Sequence, residues 1–276
     1  MVSYSPSMGG SWIGKPGSLL QLPGWVGELD VKHNSGVSFA TVASGRSFAF
    51  VSGERPARAW SVTIPYLTPE QVGTLQALMA EPVPEYMWLS VEAATSNALT
   101  PEASLGGTAN QRVGVMPRDD GSVAPVAISN PGAATGDAPV VVGAAPVVPG
   151  AIVTGSAWMA GRLGPYMLLQ FLDAEQNVIT ATGSARAATT LGVLHRASVT
   201  ATAPVGAVAV NVAPMSAEYY AQCALSWTAH PVEWAYGGLC LKAVPHGLSE
   251  SIRRSRVDAD PMGRLRDISF TMTEVG

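Results

Sequence analysis

Only one stretch of this chain carries a convincing helical period. In TPEQVGTLQALMAEP, Thr68 suits an N-cap, Pro69 the first helical position, and Gln71 completes a capping box. Val72, Leu75 and Met79 fall on one stripe with Leu78 alongside, and Pro82 stops the run. Elsewhere apolar residues alternate over short runs broken by Gly, Pro and Asn, the pattern of half-buried strands. A chain patterned this way folds into sheets, with its helix packed on one of them.

The first strands are GELDVKH (27–33), GVSFATV (36–42), RSFAFVS (46–52) and RAWSVTI (58–64). In the last, Trp60, Val62 and Ile64 share one face and Ala59, Ser61 and Thr63 the other. From about residue 97 the composition changes, and 103–150 is rich in Gly, Ala, Pro and Thr with short strand-like pieces, RVGVM (112–116) and PVVVGA (139–144). A Pro-Gly turn then feeds the strand of VVPGAIVTGSAWM (147–159). PYMLLQFLDAEQNVITATG reads as a hairpin turning at DAEQN, with Met167, Leu169 and Phe171 facing one way. HRASVTATAP and GAVAVNVAP alternate again, with Val208, Val210 and Val212 on one side. Many short strands with Pro- and Gly-rich turns and no helix predict a β-sandwich.

The last part reads as a short strand and irregular loop in LCLKAVPHGLSESIRRS, with Ser249 capping a turn. LRDISFTMTEVG is a terminal strand in which Ile268, Phe270 and Met272 alternate with polar residues. That two-faced strand needs a partner sheet, and the N-terminal strands supply it. The sandwich at 97–228 is then an insertion between 25–96 and 229–276, with 1–24 as an N-terminal arm.

Hydrophobic residues make up 47% and charged residues 13% of the 276, against about a quarter charged in an ordinary chain. That excludes disorder and suits a surface that partly meets other protein. The net charge of −4 offers no basic field for phosphates, so no nucleic-acid partner is expected. No apolar run reaches the roughly 18 residues of a membrane span, and the N-terminus lacks the pattern of a secretory signal. Cys223 and Cys240 are too few for a disulfide framework and read as two buried thiols in preference to a bridge.

Together, RPARAWSVTIPYLTPEQVGTLQALM, HPVEWAYGGLCLKAVPHGLSESI and ISFTMTEVG resemble segments of minor tail proteins of siphophages infecting actinobacteria. The terminal parts look like the split halves of a distal-tail-type β-domain. The middle resembles a carbohydrate-binding module of the jelly-roll kind, through SNALTPEAS (96–104), PVVPGAIVTGSAWM (146–159), LLQFLDAEQNVI (168–179) and RASVTATAPVGAVAVNV (196–212). The resemblance implies a mainly β fold, with a one-helix tail-ring domain split by an inserted jelly roll. It also implies a virion protein of the tail tip, assembled in the host cytoplasm. Its partners would be copies of itself in a hexameric or trimeric ring, the tail tube, other tail-tip or baseplate proteins, and host cell-wall glycans. A reading of another class is a free carbohydrate-binding lectin or an accessory module of a glycan hydrolase.

No enzyme is expected. Asp119 and Asp120 beside Gly121 make a turn, Glu218 and Glu233 lack a motif, and no nucleophile elbow, zinc helix or phosphate loop is present. His33, His195, His230 and His246 are scattered singly, and no loop concentrates carboxylates for calcium, so neither metal nor cofactor is expected. Sugar binding needs flat aromatics with a few amides or guanidinium groups. Trp158, Arg162, Tyr166 and Gln170 are the candidates, taken to line one shared sheet surface; alternatively Trp158 and Tyr166 plug the sandwich or meet a neighbouring subunit. Arg253, Arg254, Arg256, Arg264 and Arg266 lie among aspartates in a solvated charged loop or, alternatively, form an inter-subunit latch.

Overall fold

A computed structural model of the chain describes residues 11–15, 18–22, 28–33, 37–41, 47–51, 57–80, 85–106, 112–128, 141–189, 192–252 and 265–275. The fold is mainly β. The first strands are β1 (Trp12–Lys15), β2 (Ser18–Gln21), β3 (Glu28–His33), β4 (Val37–Thr41), β5 (Ser47–Val51) and β6 (Arg58–Leu67). Helix α1 (Pro69–Met79), strand β7 (Tyr86–Leu89) and two short helices, α2 (Val91–Ser96) and α3 (Pro101–Ser104), follow. Next come β8 (Arg112–Pro117), β9 (Val123–Ile128), β10 (Gly143–Pro146), β11 (Ile152–Ala160), β12 (Tyr166–Leu172) and β13 (Val178–Gly183). The last are β14 (His195–Thr202), β15 (Ala209–Met215), β16 (Tyr219–Ser226), β17 (Cys240–Ile252) and β18 (Arg266–Glu274).

The chain forms two compact units, residues 1–22 with 87–241 and residues 23–86 with 242–276. The first is a sandwich of a four-stranded sheet, ordered β10-β15-β12-β13, and a five-stranded sheet, ordered β14-β11-β16-β9-β8. From β9 to β16 the strands pair first with last, second with seventh, third with sixth and fourth with fifth: β9 with β16, β10 with β15, β11 with β14, β12 with β13. This is one long antiparallel ribbon, rolled up when β11 also pairs with β16 and β12 with β15. That order is a jelly roll, with β8 added at one edge. Val153, Ala157 and Met159 from one sheet meet Met167, Leu169 and Phe171 from the other in the core, with Val210, Val212, Cys223 and Leu225.

The expected turns are there: Asp173 accepts from the backbone N–H groups of Glu175 and Asn177 to close the β12–β13 hairpin. The expectation of no helix in this part does not hold, because α3 lies within it, capped by the Thr100 hydroxyl, while α2, capped by Ser90, just precedes it. Before them the N-terminal residues form the β1–β2 hairpin, with β1 also paired to β7 and Trp12 packed 5.2 Å from Trp227.

Asn97, wholly buried, ties the two ends of the sandwich together. Its Nδ2 donates to the carbonyls of Cys223 (3.0 Å) and Ala235 (2.8 Å). Its Oδ1 accepts from Leu99 N and Leu225 N, both at 3.2 Å, so all four hydrogen-bonding positions of the amide are used. The returning segment presses so close here that a Cβ on Gly237 would overlap the carbonyl oxygens of Leu99 and Thr100. These ties carry the first unit beyond the sequence boundaries of 97 and 228, to 87 and 241.

In the second unit the sheet order is β17-β18-β6-β3, with β4 and β5 forming a separate hairpin. Met272, Phe270 and Ile268 of β18 stand opposite Trp60, Val62 and Ile64 of β6, and all six are buried. Arg58, 5% exposed, meets the Glu274 carboxylate through Nε (2.9 Å) and a terminal nitrogen (3.1 Å), and its guanidinium lies 4.9 Å from the Trp60 ring. Helix α1 has the expected capping box and buries Val72 and Leu75. The segment expected to be a short strand and loop is instead the 13-residue β17. A bulge between His246 and Ser249, with Gly247 at φ +68°, lets the strand continue, and Ser249 pairs with Ser269 rather than capping a turn.

Asn97→Ala orphans two N–H groups and two carbonyls and is expected to cost roughly 3 kcal/mol or more in urea denaturation. Gly237→Ala overpacks the same place and is expected to cost roughly 1–3 kcal/mol. An unchanged midpoint for either variant would contradict this packing.

Candidate functional site

The four candidate sugar-binding residues do not share a surface. The chain crosses from the five-stranded to the four-stranded sheet between β11 and β12, so these strands are not neighbours. Because Ala157 and Met159 face the common core, Trp158 lies on the outer face of its sheet. Because Met167, Leu169 and Phe171 face that core from the other side, Tyr166 and Gln170 lie on the opposite outer face. Arg162 sits in the connecting turn, largely exposed, with Nε 3.5 Å from Glu218 Oε1. Strands successive in sequence are not adjacent here, because a jelly roll sends most successive strands to opposite sheets.

Around Trp158 the structure gathers residues that the sequence reading did not single out. Its ring packs beside Ala160, Ala221 and Leu194, and the Arg118 guanidinium stands 4.7 Å from the ring centroid. Arg118 comes from the tip of the β8–β9 hairpin, which closes at Gly121 (φ +85°) and reaches Leu194 at the head of β14. Its Nε donates to Ser122 Oγ and one terminal nitrogen to Gln222 Oε1 at 2.7 Å, while Asp120 Oδ1 lies 3.5 Å away. Gln222 sits where the register between β11 and β16 shifts, with φ +52°. That bulge turns its amide toward Arg118.

Arg196 of β14 stands directly opposite Trp158. It donates to the Val232 carbonyl and, at 3.5 Å, to Ser156 Oγ. Burial pushes its guanidinium below the ordinary arginine range, a shift opposed by Glu233 and reinforced by Arg118. Asp120 is held below the usual carboxylate range by the Ser122 hydroxyl and N–H, with Arg118 adding to the effect. Asp119 is in the turn as expected but pairs with His195, Oδ2 to Nδ1 at 2.8 Å, so this histidine is not isolated.

On the other face Arg186 lies 4.9 Å from the Tyr166 ring and donates to the Leu163 (2.7 Å) and Gly164 (3.1 Å) carbonyls. Gln170 stands opposite Asn211 and Ala181. Both candidate aromatics therefore carry a guanidinium over the ring.

Of the proposed latch arginines, Arg266 is engaged within its own chain by Glu250, 2.5 Å from its terminal nitrogen, and Glu250 also accepts from Gln76. Arg253, Arg254, Arg256 and Arg264 lie outside the described residues. No group of three or more metal-ligating side chains occurs among the described residues.

No known protein family and no curated protein matches the chain. Among solved structures it is similar to the enzymatically active domain of tailspike protein 4 of bacteriophage CBA120. That match is 14% identical with a TM-score of 0.30, over 47% of this chain and 21% of that one. It is also similar to the N-terminal CBM22-1–GH10 modules of Clostridium thermocellum endo-1,4-beta-D-xylanase 10B, complexed with xylohexaose. There the identity is 13% and the TM-score 0.30, over 51% of this chain and 30% of that one.

Cys223 and Cys240 are both buried, and no disulfide joins them. Burial pushes the Cys223 thiol up to about 12 from 9.0. The native state then keeps a proton that the unfolded chain releases above pH 9, so stability falls as pH rises from 9 toward 12, by about 1.4 kcal/mol per pH unit for this group. Tyr220, raised chiefly by burial, adds a loss of the same sign above its ordinary 10.0. Urea titrations between pH 8 and 10.5 should show a shallower alkaline slope for Cys223→Ala than for the parent. Equal slopes would show that this thiol does not titrate on unfolding.

Proposed function

We propose that this protein is a structural component of a phage tail tip, of the distal or minor tail protein kind, and that it assembles and binds rather than catalyses. The observation that carries the reading is the pairing of β6 with β18 around an inserted jelly roll. A split β-unit of this kind suits a fixed place in an assembly, while its guest presents a surface to something else. The low charged fraction supports burial against other protein. In this reading the host unit joins copies of itself in a hexameric or trimeric ring, against the tail tube and neighbouring tip proteins. The jelly roll contacts host cell-wall glycans. The complete jelly-roll core also favours the second reading, a free carbohydrate-binding lectin or accessory module of a glycan hydrolase.

Mass spectrometry of purified virions, with immunogold labelling, tests this. The expected result is the protein in intact particles, labelled at the tail tip. Its absence from particles, together with glycan binding by the free chain, would favour the lectin reading.

A further inference from the structure

The outer face of the five-stranded sheet is poorly suited to stacking a neutral sugar and well suited to holding an anion. A bare aromatic ring is the usual platform for a neutral sugar, but a guanidinium already stands over Trp158. Stacking fixes the plane of that guanidinium; Nε is given to Ser122 and one terminal nitrogen to Gln222, and the remaining terminal N–H groups are left for a carboxylate or phosphate. Gln222 orients the group through Oε1, which leaves its amide N–H2 available to a hydroxyl.

Arg196 adds a second positive charge on the same face, close enough to Arg118 for the two to repel. Among the described residues no carboxylate lies within ion-pair distance of Arg196, and Asp120 alone does so for Arg118. The carboxylates that act on these two cations are Asp120, beside Arg118, and Glu233, which acts on Arg196 from beyond ion-pair distance, so Arg196 has no contact ion pair. The Tyr166–Arg186 pair differs, because the residue opposite Tyr166 on the neighbouring strand is Met215 rather than a second arginine.

We propose that Arg118, Arg196 and Gln222, organised on Trp158, form a binding site for an acidic glycan, with its carboxylate or phosphate groups seated between the two guanidinium groups. This deepens the glycan-contact reading above and rests on it. The net charge of −4 favours such a local site over a nucleic-acid surface.

The test is titration of the full chain with polygalacturonate, a poly(glycerol phosphate) polymer, neutral xylan and a single-stranded oligonucleotide, at two salt concentrations. The expected result is binding of the carboxylate polymer, the phosphate polymer or both, which also separates the two sources of anion. Affinity should fall about tenfold between 50 and 300 mM salt. Arg118→Gln and Arg196→Gln should each weaken binding about tenfold, with unchanged circular dichroism. The salt arm uses the parent protein, so it stands even if a variant misfolds. Salt-independent binding, equal binding of xylan, tighter binding of the oligonucleotide or well-folded variants of unaltered affinity would overturn the acidic site while leaving glycan contact intact. Failure to bind any polymer or isolated host cell walls would overturn both.

Discussion

The first unit depends on one buried amide. Asn97 gathers the entry into the sandwich, its last strand and the segment that leaves it, and meets every partner that an amide side chain can take. A buried amide in an apolar core is costly unless it is satisfied, and satisfied it admits one arrangement of the segments around it. Around that fixed point a ribbon of four strand pairs rolls into two sheets, and its ends finish near each other. Adjacent ends are what allow a domain to be carried inside another.

The host unit is the complementary half of the arrangement. Its central pairing joins β6 to β18 across the whole insertion. The cost of such closure rises only logarithmically, about 5 kcal/mol for a flexible loop of two hundred residues, and an insert with neighbouring ends shortens the effective loop. Six facing apolar side chains and the Arg58–Glu274 pair offset that cost. Insertion therefore leaves the host a sheet with a core of its own, and the guest free to carry surface chemistry.

Much of this was legible in the sequence. The alternation at Trp60–Ile64, Met167–Phe171 and Ile268–Met272 named the core faces correctly, because period-two patterning leaves little choice once one face is buried. The capping box of α1 was readable because Thr68, Pro69 and Gln71 act on neighbours three residues away. Position in three dimensions was not readable. Trp158 and Tyr166 are eight residues apart, yet a single crossover places them on opposite faces. Arg118 reaches Trp158 from a distant hairpin, and Gln222 is turned toward it by a bulge that composition does not announce. Strand β17 reads in sequence as a short strand and loop because a bulged strand and a loop use the same residues.

Segments about two hundred residues apart pair in one host sheet, with the jelly roll inserted between them in sequence. Amide hydrogen exchange of the intact chain, followed residue by residue, tests this pairing most directly. The paired amides of β6 and β18 are expected to exchange with matching protection, as members of one cooperative sheet. Protection of β6 with β18 exchanging at the rate of an unfolded chain would contradict it.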